Sequence, residues 1–81
     1  MIPQATKDSL DRYVNEGIMP GSFLRAVLTN DLAGAVFKAD SKNLAALKDI
    51  MLYVYNEIPA NAWGSTATVV DYAQQTFKKT A

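Results

Sequence analysis

Three residues, Gly21, Ser22 and Arg25, have the types and the spacing of a small anion-binding site. A glycine and a serine at the start of a helix leave backbone N–H groups free at the positive end of the helix dipole. Arg25 follows one turn later and adds a guanidinium that forms paired hydrogen bonds with phosphate or carboxylate. An ordinary capped helix whose arginine faces water shows the same pattern, so the sequence leaves both interpretations open.

A second predicted helix start carries an aromatic residue, because Trp63 precedes Gly64, Ser65 and Thr66. If this start lies near Gly21, the two together offer paired anion sites and a stacking ring, which is how a protein holds a nucleotide. In the alternative, Trp63 packs on the core or on a partner subunit and Ser65 simply caps the helix. The candidate ligand-binding residues are Gly21, Ser22, Arg25, Trp63, Ser65 and Thr66.

The chain lacks the side chains on which most catalytic and metal sites depend. It contains no histidine and no cysteine, which excludes imidazole bases, thiolate nucleophiles and the usual zinc ligands. Nothing in the sequence places its two glutamates, Glu16 and Glu57, next to each other, and no glycine-rich phosphate loop occurs. Asn30, Asp31 and Asp40 lack the spacing of a calcium loop, and helix capping explains them better. We therefore expect a binding protein rather than an enzyme, with no catalytic residues, no metal and no cofactor.

Turn-forming residues divide the chain into about five helical segments. Gly17 supplies a left-handed stop for the first segment, and Ser22 is expected to cap the second. Asn30 and Asp31 predict a kink or a new N-cap, and Asp40 or Ser41 caps the longest segment. Apolar residues recur at three- and four-residue spacing, whereas the alternation of strands is absent. The predicted segments are residues 3–16 or 6–16, 23–29, 32–38, 42–56 and 66–78.

Segment 42–56 is apolar on most of its circumference, which is typical of a helix at the centre of a fold. The sequence therefore predicts an all-α fold, a compact bundle of four to five short helices around a central helix at about residues 42–56. A chain of 81 residues has room for one domain at most. We expect a single helical domain covering residues 1–81.

Length and charge limit the choice of partners. So short a chain buries a modest core, and without disulfides self-association is the remaining common way to cover apolar surface, so we expect a homo-oligomer. Eight basic and eight acidic residues give no net charge, which argues against nucleic acid as a partner. The N-terminus lacks a signal peptide, and no apolar run approaches the ~20 residues of a membrane span. These features predict a cytoplasmic protein without a membrane partner.

Three segments carry a resemblance to a known group of proteins. They are residues 17–32 (GIMPGSFLRAVLTNDL), 53–59 (YVYNEIP) and 63–65 (WGS). In order and spacing they resemble a family of small hypothetical accessory proteins of tailed phages and prophages, over about residues 3–72. The resemblance implies a phage accessory protein in the bacterial host cytoplasm and no assigned catalytic residues. It also implies a binding role, since such proteins mostly block a host or defence protein or sequester a small signalling nucleotide.

We therefore expect a phage-encoded, non-enzymatic binding protein that interferes with a host process, above all antiviral defence. It would either sequester a cyclic or phosphorylated nucleotide or block a host defence protein through an exposed apolar or tyrosine-rich patch. Two alternatives come from other classes, a DNA-binding regulatory module and a virion assembly protein. The DNA-binding alternative requires a basic face. The residues that would have to lie together on that face are Lys7, Arg12, Lys38, Lys42 and Lys48.

Overall fold

The computed structural model describes the backbone of residues 1–80 and the side chains of residues 1–79. Six α-helices and one short 3-10 turn follow one another, and the described residues contain no strand, which confirms the predicted all-α bundle. No helix in this part of the chain is long and apolar enough to cross a membrane. The helices are α1 (Gln4–Glu16), α2 (Ser22–Leu28), α3 (Leu32–Lys38), α4 (Ser41–Ala45), α5 (Leu47–Glu57) and α6 (Thr66–Thr80), and the 3-10 turn is Ala60–Ala62.

The helix ends follow from local chemistry. Gly17 ends α1 in the left-handed conformation, with φ 72°, and its N–H donates to the Tyr13 carbonyl. Asp31 caps α3 by accepting a hydrogen bond from the Gly34 N–H at 3.0 Å, which confirms the predicted new N-cap. The Asp40 carboxylate accepts from the Asn43 N–H at 2.8 Å in the same way. Short polar side chains at these positions satisfy N–H groups that have no partner within the helix.

Two local predictions differ from the structure. The predicted central helix at residues 42–56 is divided at Ala46, whose φ of −97° and ψ of 7° lie outside the helical region. This bend lets both halves reach α1, since Thr6 donates to Asn43 of α4 at 2.6 Å and Tyr53 of α5 donates to Asp11 at 3.0 Å. Ser22 does not cap α2: it is the first helical residue, and Gly21 occupies the N-cap position without a side-chain hydrogen bond.

Tyr13 lies at the centre of the core and joins three elements. Its side chain is fully buried, and its hydroxyl donates to the carbonyl of Ala62 at 2.6 Å and lies 3.3 Å from that of Val69. The Tyr13 ring lies 5.4 Å from the ring of Tyr72, whose own hydroxyl donates to the Val14 carbonyl at 2.8 Å. These contacts hold α1, the 3-10 turn and α6 together. The other large, fully buried side chains are Leu10, Leu28, Ile50, Val54 and Val69.

Helices α2 and α3 form a tightly packed helical hairpin. The turn between them contains Asn30 with a φ of 66°, a conformation that asparagine adopts more readily than most residues. Five residues of α2 are buried, whereas Ala35 is the buried residue of α3. The hairpin is tied to the start of α6 because the Gly64 N–H donates to the Leu28 carbonyl at 2.7 Å.

The Tyr13 hydroxyl is testable by Tyr13→Phe, which keeps the ring and removes the hydrogen bonds. We expect this variant to lower the free energy of unfolding by about 1–3 kcal/mol, because buried carbonyl groups lose a donor. Urea unfolding followed by circular dichroism measures the change. Tyr55→Phe is the control, since Tyr55 is 72% exposed and its variant should stay within about 0.5 kcal/mol of the parent. Equal losses in both variants would contradict this role of Tyr13.

The stability of the protein at alkaline pH should also depend on Tyr13. Burial, with a smaller effect of Tyr72, raises the pKa of Tyr13 from 10.0 to about 12. The folded state therefore favours the neutral phenol. The contribution of Tyr13 to the free energy of unfolding is complete below pH ~10 and is lost as the pH rises through ~12. Tyr13→Phe should flatten the fall in stability over this range. A smaller fall should remain, because burial and then the Asp11 hydrogen bond also raise the pKa of Tyr53.

Gly17 provides a second test of the packing between α1 and α6. A Cβ at this position would lie 2.5 Å from the Ala73 carbonyl oxygen and 2.5 Å from the Phe77 nitrogen. In Gly17→Ala the new methyl group would clash with both backbone atoms, and alanine would have to adopt an unfavourable left-handed conformation. We expect the free energy of unfolding to fall by about 2–4 kcal/mol. Gly21→Ala is the control, because its Cβ meets nothing within 4 Å and should cost less than about 1 kcal/mol. Thermal unfolding of both variants measures the change, and the melting temperature should fall much further in Gly17→Ala than in Gly21→Ala.

Candidate functional site

Two neighbouring cavities lie between α2 and α6 and share three wall residues, and we name them together the Arg25 groove. Each cavity has Arg25, Thr29 and Thr66 in its wall. One of about 170 Å³ extends towards Met19, Val69 and Val70, and the other of about 180 Å³ extends towards Ser22, Ala26, Asp31 and Lys38. The groove thus has an apolar end at α6 and a polar end between α2 and α3.

Both cations of the groove are free to bind a ligand. Arg25 and Lys38 are exposed, and within residues 1–79 neither makes an ion pair or a hydrogen bond through its side chain. The guanidinium offers five N–H donors in a planar fork, and the ammonium offers three more. Two such groups in one wall form a site to which phosphate or carboxylate oxygens bind by charge-assisted hydrogen bonds.

Three hydroxyl groups line the groove beside these cations. Those of Ser22 and Thr66 have no partner in the described part of the chain, so each can donate to a ligand oxygen. The Thr29 hydroxyl differs because it already donates to the Arg25 carbonyl at 2.8 Å, which leaves it able only to accept. The polar end therefore presents donors in excess, as an anionic ligand requires.

One carboxylate, that of Asp31, also lines the polar end of the groove. Its Oδ1 atom accepts from the Gly34 N–H, so this side chain is held in place by its capping role. A carboxylate near Arg25 and Lys38 reduces the attraction that a simple anion experiences there. It also offers a hydrogen-bond acceptor to a ligand that carries N–H or O–H groups next to its phosphate.

The structure brings three of the six predicted ligand-binding residues together. Ser22, Arg25 and Thr66 all line the polar end of the Arg25 groove, so the first residues of α2 and α6 line one cavity. The groove is therefore built partly from the two helix starts that the sequence singled out.

The other three predicted residues lie outside this groove. Gly21 lines another cavity with Thr6, Ser9 and Asn43, and Ser22 lines both this cavity and the groove. Ser65 caps α6, since its hydroxyl oxygen accepts from the Thr68 N–H at 3.2 Å and its hydroxyl donates to Thr68 Oγ1 at 2.9 Å. Trp63 is half-buried and packs against Tyr55 edge to face, with 6.2 Å between the ring centroids. Trp63 lines neither cavity of the Arg25 groove and packs against the core, as the packing alternative predicts.

Sequence reasoning missed Lys38, Thr29 and the apolar end of the groove. Lys38 and Asp31 are seven residues apart, so they share one face of α3. That spacing was visible, but the tight fold of α3 back on α2, which brings this face to Arg25, was not. As for a metal, the residues described include no group of three or more acidic side chains that could hold an ion, and Asp31 and Asp40 each cap a helix.

Comparison of the chain with protein-family models, with curated proteins and with solved structures gave no match.

The charge balance of the groove is testable by Asp31→Asn. Asparagine caps helices as well as aspartate does, so the variant removes one negative charge and keeps the fold. We expect inorganic pyrophosphate to bind about 1.4- to fivefold more tightly, from the ~0.2–1 kcal/mol of an exposed charge interaction. Isothermal titration calorimetry at low salt measures the change.

Asp40→Asn is the matched control for this experiment. Asp40 caps α4 through the same type of bond and lines a cavity near the N-terminus rather than the Arg25 groove. Its substitution should leave pyrophosphate affinity unchanged. If both variants gain affinity equally, binding reflects the overall charge of the protein and not the groove.

Proposed function

We propose that this protein is a non-enzymatic binding protein that sequesters a cyclic or phosphorylated nucleotide in the Arg25 groove. The proposal rests on two cations, Arg25 and Lys38, that make no ion pair within residues 1–79. The hydroxyls of Ser22 and Thr66, which also have no partner there, lie in the same cavity wall. Phosphate oxygens bind to these donors at the polar end. The nucleoside part lies towards Met19, Val69 and Val70 at the apolar end.

Binding rather than catalysis is favoured by the side chains present. The chain has no histidine and no cysteine, which are the usual proton carriers and nucleophiles near neutral pH. The carboxylate in the groove, Asp31, is committed to capping α3. Each cavity is smaller than the roughly 300 Å³ at the lower end of small-molecule pockets, so one chain holds a phosphate and part of its ligand at an open surface.

The biological setting of the proposal rests on the resemblance to small phage accessory proteins. A phage protein that retains a signalling nucleotide in the bacterial cytoplasm would interrupt a defence response that depends on that signal. The protein would then act stoichiometrically, because it would remove the nucleotide by binding and not by breaking a bond.

Native mass spectrometry of the protein purified gently from bacteria tests the proposal directly. We expect a retained adduct of nucleotide-like mass, and binding of added ADP or cyclic AMP by titration calorimetry. Arg25→Ala and Lys38→Ala should each weaken binding at least about tenfold, since a hydrogen bond to a charged group contributes ~1.5–3 kcal/mol. Arg12→Ala is the control, because Arg12 lies on α1 and bonds to Ser9.

Trp63→Ala locates the site independently. Since the indole packs on Tyr55, this variant should retain ligand if its fold is intact by circular dichroism. Loss of binding in Trp63→Ala with full retention in Arg25→Ala would place the site elsewhere and contradict the proposal. So would the absence of any adduct together with no binding of either nucleotide probe.

A further inference from the structure

One side of α3 is apolar and faces solvent along its whole length. We name this surface the α3 stripe; it consists of Leu32, Ala33, Val36 and Phe37. The spacing i, i+1, i+4 and i+5 places these residues on one helix face. Leu32 is 73% exposed and Phe37 is 85% exposed. Single exposed apolar residues are ordinary, but adjacent ones on one face form a patch that is typical of an interaction site.

An apolar cavity of about 90 Å³ adjoins the α3 stripe. Leu32 belongs to both surfaces, so the stripe and the cavity are continuous. The opposite wall of the cavity comes from Leu47 and Met51 of α5. One turn beyond Met51 lies Tyr55, which is 72% exposed. The molecule therefore carries a projecting apolar surface beside an apolar hollow.

The size of this surface fits the apolar part of a protein interface. Phe37 and Tyr55 are mostly exposed, and an aromatic side chain carries about 150–250 Å². With Leu32, which is 73% exposed, the apolar area reaches on the order of 400 Å². A specific interface takes about 800 Å² per partner, of which roughly 60% is apolar.

A second copy of this chain is the occupant that these features favour. A two-fold interface uses one patch twice, so it needs projecting and hollow parts on the same molecule. The α3 stripe and the neighbouring cavity supply both. The stripe contains no charged residue, and Asp31 is the charged residue that lines the cavity, so repulsion between two copies is limited to that carboxylate.

We infer that the protein self-associates through the α3 stripe, with Leu32 and Phe37 of each copy packed over the cavity of the other. Lys38 lies on the other side of α3, in the wall of the Arg25 groove. Ala26 and Asp31 line both this cavity and the groove, so the interface adjoins the polar end of the groove, whereas Arg25 and Lys38 lie outside the cavity.

Sedimentation equilibrium of the full chain tests this inference. The parent protein should be oligomeric at micromolar concentrations. Leu32→Ser and Phe37→Ser should each weaken self-association at least tenfold, with unchanged helical content because both side chains are exposed. Ile18→Ser is the control: Ile18 is also exposed, at 45%, but lies in the loop between α1 and α2. A monomeric parent protein would overturn the inference, and a host protein would then be the partner to test for the stripe.

A thiol probe tests the surface without removing a large side chain. The chain has no cysteine, so Ala33→Cys introduces a single thiol within the α3 stripe. Its alkylation should be slow at high protein concentration and at least fivefold faster on dilution, while Ile18→Cys should react at a constant rate. A concentration-independent rate for Ala33→Cys would overturn the inference. Arg25→Ala should self-associate like the parent protein, so a failure of nucleotide binding is distinguishable from a failure of this interface.

Discussion

The hydroxyl of Tyr13 is the interaction on which the rest of the structure depends. It is buried, and the carbonyls within its reach belong to the 3-10 turn and to α6. Val69, whose carbonyl is one of the two, also provides a side chain to the apolar end of the Arg25 groove. The same contact therefore stabilises the core and positions one wall of the candidate site.

The other wall is positioned through the hairpin of α2 and α3. The hydrogen bond from Gly64 to the Leu28 carbonyl joins the end of α2 to the residues just before α6. Thr29 and Thr66, which both line the groove, are close neighbours of this bond in the sequence. The groove is thus held by two ties on different sides, and each connects segments more than thirty residues apart. A short chain obtains a defined site in this way without a large core.

The sequence predicted the helices better than their arrangement. Periodicity, Gly17 and the capping residues Asp31 and Asp40 are local signals, so the helix class and most helix ends could be read from neighbouring residues. The division at Ala46 could not be predicted, because no glycine or proline marks it and its role is to let α4 and α5 both reach α1. The same limit applies to the site. Ser22, Arg25 and Thr66 were found from helix-start chemistry, whereas Lys38 depends on how α3 folds back on α2.

Arg25 and Lys38 have no ion-pair partner within the described residues, and this has little effect on stability. An exposed ion pair contributes about 0–1 kcal/mol, so a folded chain loses almost nothing when an exposed cation has no partner. A cation committed to an ion pair, in contrast, must break that contact before it binds a ligand. The eight acidic residues of the chain would have sufficed to pair both cations, yet Asp31, the acidic residue in the groove wall, caps a helix instead. This arrangement keeps the donors of the groove available, which a protein that acts by retaining an anion requires.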